Sequence, residues 1–171
     1  MRYSICVDAV FEGKDFGESL ETVKRLGFQG FEFWSWWDKD IPAIVEKKTS
    51  LDLEVTACCT KFISLVNPAC RGDYLDGLKE SLTVAKTLGC PRLISQVGDE
   101  RPDVPRAKQQ ASLVEGLRAC VPFLEKAGVT LVFEPLNTRV DHPGYYLTQS
   151  AEAFDIVDTV ASETNIPESE T

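Results

Sequence analysis

The sequence predicts an α/β protein built from parallel βα units, and three observations carry that prediction. Short apolar runs alternate with amphipathic stretches five times along 171 residues. Those runs are apolar throughout rather than at every second position, the pattern of strands covered on both faces. Glycine closes the first of the helical stretches and two later ones, as helix C-termini favour.

The elements follow in order. Tyr3 to Val7 reads as a strand. Phe16, Leu20, Val23 and Leu26 recur at helical spacing, and Gly27 ends that helix. Gly30 to Trp34 is a second strand and Pro42 to Lys48 a short helix. Leu53 to Cys59 is a third strand. Leu75, Leu78, Leu82, Ala85 and Leu88 mark one helical face that stops at Gly89. Pro91 to Val97 is a fourth strand. Leu113, Leu117, Val121 and Leu124 mark the next helix, interrupted by Pro122, which removes an N–H and bends it, and ended by Ala127-Gly128. Val129 to Glu134 is a fifth strand, and Phe154, Val157 and Val160 mark a fifth helix. Two architectures fit: an open doubly wound sheet, or part of an eight-unit barrel, which normally needs about 250 residues. Asp8-Ala9-Val10-Phe11-Glu12-Gly13 stands where a dinucleotide fingerprint would be, and there is no P-loop.

Composition narrows the class. With 43% hydrophobic and 26% charged residues, one globular domain is expected over residues 1–160. Residues 161–171 form a polar, acidic tail expected to be disordered. A net charge of −9 argues against a nucleic-acid partner. No apolar run approaches the roughly 20 residues of a membrane span, and the N-terminus lacks the pattern of a secretory leader. Cys6, Cys58, Cys59, Cys70, Cys90 and Cys120 show no C-x-x-C spacing, which predicts buried free thiols in the reducing cytoplasm. With one histidine, His142, a thiolate zinc site is not expected.

The chemistry concentrates in Val132-Phe133-Glu134-Pro135-Leu136-Asn137-Thr138-Arg139-Val140-Asp141-His142-Pro143-Gly144-Tyr145-Tyr146. A carboxylate at the mouth of a buried strand is costly unless paired, bound to metal or used in catalysis. In parallel α/β folds the ligand site lies beyond the carboxyl ends of the strands, where Glu134 falls. Glu134 could bind Mg²⁺ or Mn²⁺ through a hard oxygen, or take a proton from a carbon beside a carbonyl. The plain alternative is a structural glutamate paired at the strand end. Arg139 could hold a substrate carboxylate and His142 a substrate oxygen, with Asn137 beside them; turn-stabilising or solvated roles compete for each. Trp34, Trp36 and Trp37 cluster after the second strand, where rings either stack on a sugar or cover the fold. Gln96 is a polar contact at the fourth strand's end, and Lys61 a weaker one after the third.

These residues resemble a known family. Phe133-Glu134-Pro135-Leu136-Asn137-Thr138-Arg139 with Asp141-His142-Pro143-Gly144-Tyr145 resembles the fifth-strand signature of the hydroxypyruvate isomerase family, among the xylose-isomerase-like TIM barrels. Leu88-Gly89-Cys90-Pro91-Arg92-Leu93 and Gly27-Phe28-Gln29-Gly30-Phe31-Glu32-Phe33 resemble its fourth and second strand regions. The resemblance implies a partial (β/α)8 barrel comprising about the first five βα units, C-terminally truncated before the sixth to eighth strands. It implies metal-assisted proton transfer between adjacent carbons of a small hydroxy-keto acid or sugar through an enediolate, with Glu134 as metal ligand and acid/base. The remaining ligands of the family's Mg²⁺ or Mn²⁺ site lie on strands this chain lacks. Alternatives are an inactive barrel fragment, a ketose 3-epimerase-type enzyme, and a homo-oligomer in which a second copy covers the open face.

Overall fold

The structure, a computed structural model, describes residues 1–164, with side chains described to residue 161. Strands β1 (Ser4–Cys6), β2 (Gly30–Phe33), β3 (Glu54–Cys59), β4 (Arg92–Ser95) and β5 (Thr130–Phe133) form one parallel sheet in the order β1-β2-β3-β4-β5. Each strand pairs with the next in sequence and the order never reverses. A doubly wound sheet has a reversal point, so the winding decides for the barrel architecture.

The helices are α1 (Val7–Val10), α2 (Phe16–Arg25), α3 (Ile41–Ser50), α4 (Arg71–Leu88), α5 (Arg106–Ala127) and α6 (Ser150–Thr164). Their boundaries have local causes. The Asp15 carboxylate accepts from the Glu18 N–H at 2.9 Å, and the Asp40 carboxylate from the Ala43 N–H at 3.0 Å, satisfying donors at the starts of α2 and α3. Gly89 and Gly128 end α4 and α5 in the left-handed region. A 3₁₀ turn, Pro68–Cys70, leads into α4.

The sheet separates two environments. Phe31 and Phe33 face the helices, where Phe16 meets their rings edge-on at 6.1 and 5.6 Å. Leu20, Leu78, Leu88, Leu93 and Leu113 are fully buried in the same layer, each contributing about 1.5–3 kcal/mol by leaving water. The opposite face carries Cys6 paired with Glu32, and Cys59, Ile94 and Val132 paired in a row, with Glu134 two residues beyond Val132. On it the Ser4 and Thr56 hydroxyls meet at 2.7 Å across β2. Gly30 permits this approach, because a Cβ there would lie 2.8 Å from Thr56 Cγ2. Cys58, Cys59, Cys90 and Cys120 are buried, Cys6 and Cys70 half-buried, and no disulfide joins any of the six.

Three expectations need correction. The first strand stops at Cys6, because Val7 turns inward to start α1 and Asp8 turns across to accept the Trp34 N–H at 2.7 Å. The fifth strand is not buried on both faces: Thr130 and Val132 are exposed. Among the described residues β5 has a neighbour only in β4. Residues 161–164 are not part of an irregular tail but complete α6, which extends the Val157–Val160 helical spacing. The remainder of the expected tail lies outside the described residues.

Candidate active site

A cavity of about 880 Å³ opens at the carboxyl ends of the strands. Glu32 reaches it from the end of β2 and Trp34 from the residues just after. Gln96 comes from beyond β4, Glu134 from beyond β5, and Asp141 and His142 from the following loop. Cys6 and Cys59 floor it, and Phe62 adds a second aromatic wall. A smaller hollow of about 410 Å³ lies between α2 and α3, with no lining residue in common with the main cavity. Despite that separation from the main cavity, its Lys39 reaches back toward the ends of β1 and β2 and is already committed, to Asp8 at 3.1 Å and to the Ser35 carbonyl at 2.8 Å.

The structure therefore gathers Trp34, Gln96, Glu134 and His142 into one space. Asn137 and Arg139 do not line it. The Asn137 side-chain oxygen accepts the Arg139 N–H at 2.9 Å, and its carbonyl accepts the His142 N–H at 3.1 Å, so Asn137 folds the loop. Arg139 is exposed on that loop. Lys61 is engaged elsewhere, 2.6 Å from Glu80 and over the Trp36 ring. The tryptophan cluster divides: Trp34 walls the cavity, Trp36 is buried and donates to Ser81 Oγ at 3.2 Å, and Trp37 packs on Phe62 with ring centres 5.1 Å apart.

Burial pushes the Glu32 carboxyl above the usual carboxylate range, and the Glu134 charge pushes it further the same way. Glu32 thus holds its proton to higher pH than an exposed glutamate. The Cys59 thiol is pushed up to about 12 by burial, with smaller contributions from Cys6, Glu134, Glu32 and Asp8. It stays a thiol at neutral pH, which removes it as a nucleophile. Sequence reasoning passed over Glu32 and Phe62 as site residues. Glu32 had a usable signal: Phe31-Glu32 repeats the Phe133-Glu134 pairing of an aromatic with a carboxylate, here one residue before the end of β2.

Tyr145 is the other addition. It is buried, and its ring reaches under the loop to the strand ends. Its phenol oxygen accepts the Val97 N–H at 2.8 Å and donates to the Glu134 carbonyl at 3.2 Å. Burial pushes this phenol up to about 12, so it keeps its proton across the neutral range. Backbone bonds fasten the same segment to the loop after β4: Tyr146 N–H to the Gly98 carbonyl at 3.1 Å and Glu100 N–H to the Gly144 carbonyl at 2.7 Å. The Arg106 guanidinium lies 4.1 Å over the Tyr146 ring and donates to its carbonyl at 3.1 Å.

Among the described residues no group of three or more His, Cys, Asp or Glu side chains is placed to hold a metal ion. Glu134 and Glu32 are hard oxygen donors, but they do not complete a centre by themselves. No described helix is long and apolar enough to cross a membrane.

Known proteins agree with this architecture. Residues 20–166 match the model of the xylose isomerase-like TIM barrel family. Hydroxypyruvate isomerase of Escherichia coli K12 is 28% identical over 169 residues, covering 94% of this chain and 65% of that protein. A 2-oxo-tetronate isomerase of Cupriavidus necator is 32% identical over 82 residues, covering 48% of this chain and 31% of that protein. Among solved structures, a family 2 AP endonuclease from Brucella melitensis superposes with a TM-score of 0.86 at 23% identity, over 93% of this chain and 64% of that one. A D-psicose 3-epimerase determined in the presence of D-fructose gives 0.75 at 21% identity, over 94% and 60%. The chain spans about 65% of the length of its Escherichia coli relative. Singly wound parallel strands, a cavity at their carboxyl ends and the match over most of the sequence lead to one assignment: the chain belongs to the xylose isomerase-like TIM barrel family.

Proposed function

We propose that this chain supplies part of the active site of an isomerase that moves a proton between adjacent carbons of a small hydroxy-carbonyl compound. The observation that carries this reading is the pair of carboxyl groups, Glu32 and Glu134, in one cavity at the strand ends. In the proposed reaction Glu134 takes a proton from the carbon beside the substrate carbonyl. The C–H electron pair moves into the carbon–carbon bond as the carbonyl pair moves onto its oxygen, giving an enediolate. The hydroxyl proton passes from its own oxygen to the former carbonyl oxygen, and Glu134 returns the carbon-derived proton to the former carbonyl carbon as the other oxygen becomes the new carbonyl. In its protonated form, which burial and the Glu134 charge both favour, Glu32 can donate a hydrogen bond to the developing oxygen charge. His142 and Gln96 serve as polar contacts to substrate hydroxyls, and Trp34 and Phe62 keep water from the reacting carbons. The relatives named hydroxypyruvate isomerase and 2-oxo-tetronate isomerase support the reaction class. Glu134 is also our candidate carboxylate ligand for Mg²⁺ or Mn²⁺, and the described residues complete no centre around it. A cytoplasmic setting belongs to the same proposal, supported by six cysteines without a disulfide.

One observation favours a second substrate class. The described cavity residues include Glu32, Glu134 and Asp141 but no lysine or arginine. A keto acid brings another negative charge into that space, whereas a neutral ketose does not and can lay an apolar face on Trp34 or Phe62. The test is conversion of hydroxypyruvate and of D-fructose with Mg²⁺ or Mn²⁺ added, with Glu134→Gln as control. Conversion by the native chain that falls about 10²–10⁴-fold in the variant supports the role of Glu134. Equal rates in both proteins would sink it, and no conversion of either compound would favour a non-catalytic barrel fragment.

A further inference from the structure

The structure assigns Tyr145 as the positioning residue for Glu134: its phenol, bonded to Val97 N–H and to the Glu134 carbonyl, carries the β4–β5 pairing past the end of the ladder to the residue at the cavity. The last registered pair between these strands is Ser95 with Phe133. Beyond it the two chains have no direct backbone bond to hold them, yet Gln96 and Glu134 both line the cavity there. The phenol oxygen stands between the next donor and acceptor, 2.8 Å from Val97 N and 3.2 Å from Glu134 O.

A water molecule could bridge the same two groups, but it would be free to leave. The phenol is fixed through its ring to a segment that is itself tied down. Tyr146 and Gly144 bond to Gly98 and Glu100 on the loop after β4, and Leu136 N–H bonds to the Leu147 carbonyl at 3.0 Å. Movement of the Glu134 backbone therefore requires movement of this whole segment. Such support matters most at β5, which has only one neighbouring strand among the described residues. Catalytic geometry degrades with displacements near an ångström, so a hydrogen bond that never touches substrate can control the rate through Glu134.

The catalytic half of this inference rests on the proposed role of Glu134; the structural half does not. The experiment is amide hydrogen exchange by NMR together with isomerase kinetics, on the native chain and on Tyr145→Phe, which retains the ring and removes only the oxygen. The Val97 amide is expected to be protected in the native protein. In the variant it should exchange about tenfold faster, the factor equivalent to one net hydrogen bond, while Leu93 and Leu131 are unchanged. The turnover number is expected to fall by at least about tenfold with KM held within about a factor of two, as for loss of orientation rather than of binding. Native-level exchange at Val97 in the variant overturns the inference, and so does faster exchange with unchanged turnover. If the variant does not fold, the native protein decides: an unprotected Val97 amide rejects the bridge, and protection matching that of Leu93 supports it. If the native chain shows no isomerisation, the proposed reaction falls, and exchange at Val97 alone judges the bridge.

Discussion

Substituting Gly98 by alanine puts the loop after β4 to its most direct test. Gly98 has φ +99°, outside the range that residues with a Cβ readily adopt. A Cβ at this position would lie 2.4 Å from Ser64 Oγ, 2.7 Å from its Cβ and 2.9 Å from its Cα. The hydroxyl could rotate away, but the Cβ and Cα could move only with the backbone. That backbone is held, since Leu65 N–H bonds to the Val97 carbonyl at 2.9 Å. Forcing a left-handed conformation on alanine costs about 1–2 kcal/mol, and overpacking a closed contact about 1–3 kcal/mol more. A combined loss near 3 kcal/mol is a large share of the roughly 5–15 kcal/mol that holds a domain folded. Urea unfolding should show a lower midpoint with an unchanged slope, and thermal unfolding a fall of about 6–12 °C for a chain of this size. A shift below about 1 °C would show that the Ser64 contact and the left-handed backbone are not constraints, and the reasoning would be wrong.

Other consequences are open to measurement. Buried Cys59 and Cys120 thiols and the Tyr145 and Tyr146 phenols are all pushed up to about 12, from 9.0 for the thiols and 10.0 for the phenols. The unfolded chain loses these protons first, so the folded state binds more protons and stability falls as pH rises from about 9 toward 12. Urea midpoints should drop between roughly pH 8 and pH 10; a constant midpoint contradicts the burial of these groups. Glu32 has its pKa raised by burial and by Glu134, so its contribution is favourable below the unfolded value of 4.5 and is lost as pH rises through the folded value. Glu32→Gln is therefore expected to raise the melting temperature at neutral pH while leaving it little changed in acid. Arg106→Lys keeps the charge but loses the planar fork stacked on Tyr146 and shared with Glu152 at 2.7 Å. Because Arg106 is partly exposed, a modest cost of about 1 kcal/mol is expected from chemical denaturation, and wild-type stability would count against the stack.

The strand and helix order was readable because its determinants are local. Gly89 and Gly128 end helices in sequence and in structure, and Asp15 and Asp40 cap the helices beginning one residue later. Winding direction follows from the βα repeat together with the family resemblance. The exposure of β5 was not readable, because Val129–Phe133 is as apolar as the inner strands and its pattern carries no information about neighbouring strands. At the site, Glu134 was identifiable from its place after an apolar run. Its counterpart Glu32 is 102 positions earlier, and only the sheet register brings the two to one face. Asn137 illustrates the opposite failure: its amide suits a substrate contact, but a donor two residues away claims it. Tyr145 bridges Val97 from 48 residues away, a separation at which no local pattern reports a hydrogen bond.

The distribution of cysteines gives the molecule an internal gauge of its own breathing. Cys6 and Cys70 are partly accessible, whereas Cys58, Cys59, Cys90 and Cys120 lie on β3, ahead of β4 and within α5. A thiol reagent present in excess reaches Cys58, Cys90 and Cys120 only when their own elements part from their neighbours, whereas Cys59 can also be approached through the cavity. The order in which they become labelled would therefore rank the local opening of sheet and helix layer. Because Cys59 also floors the cavity, its labelling rate compared with that of Cys120 would separate motion at the site from motion of the fold.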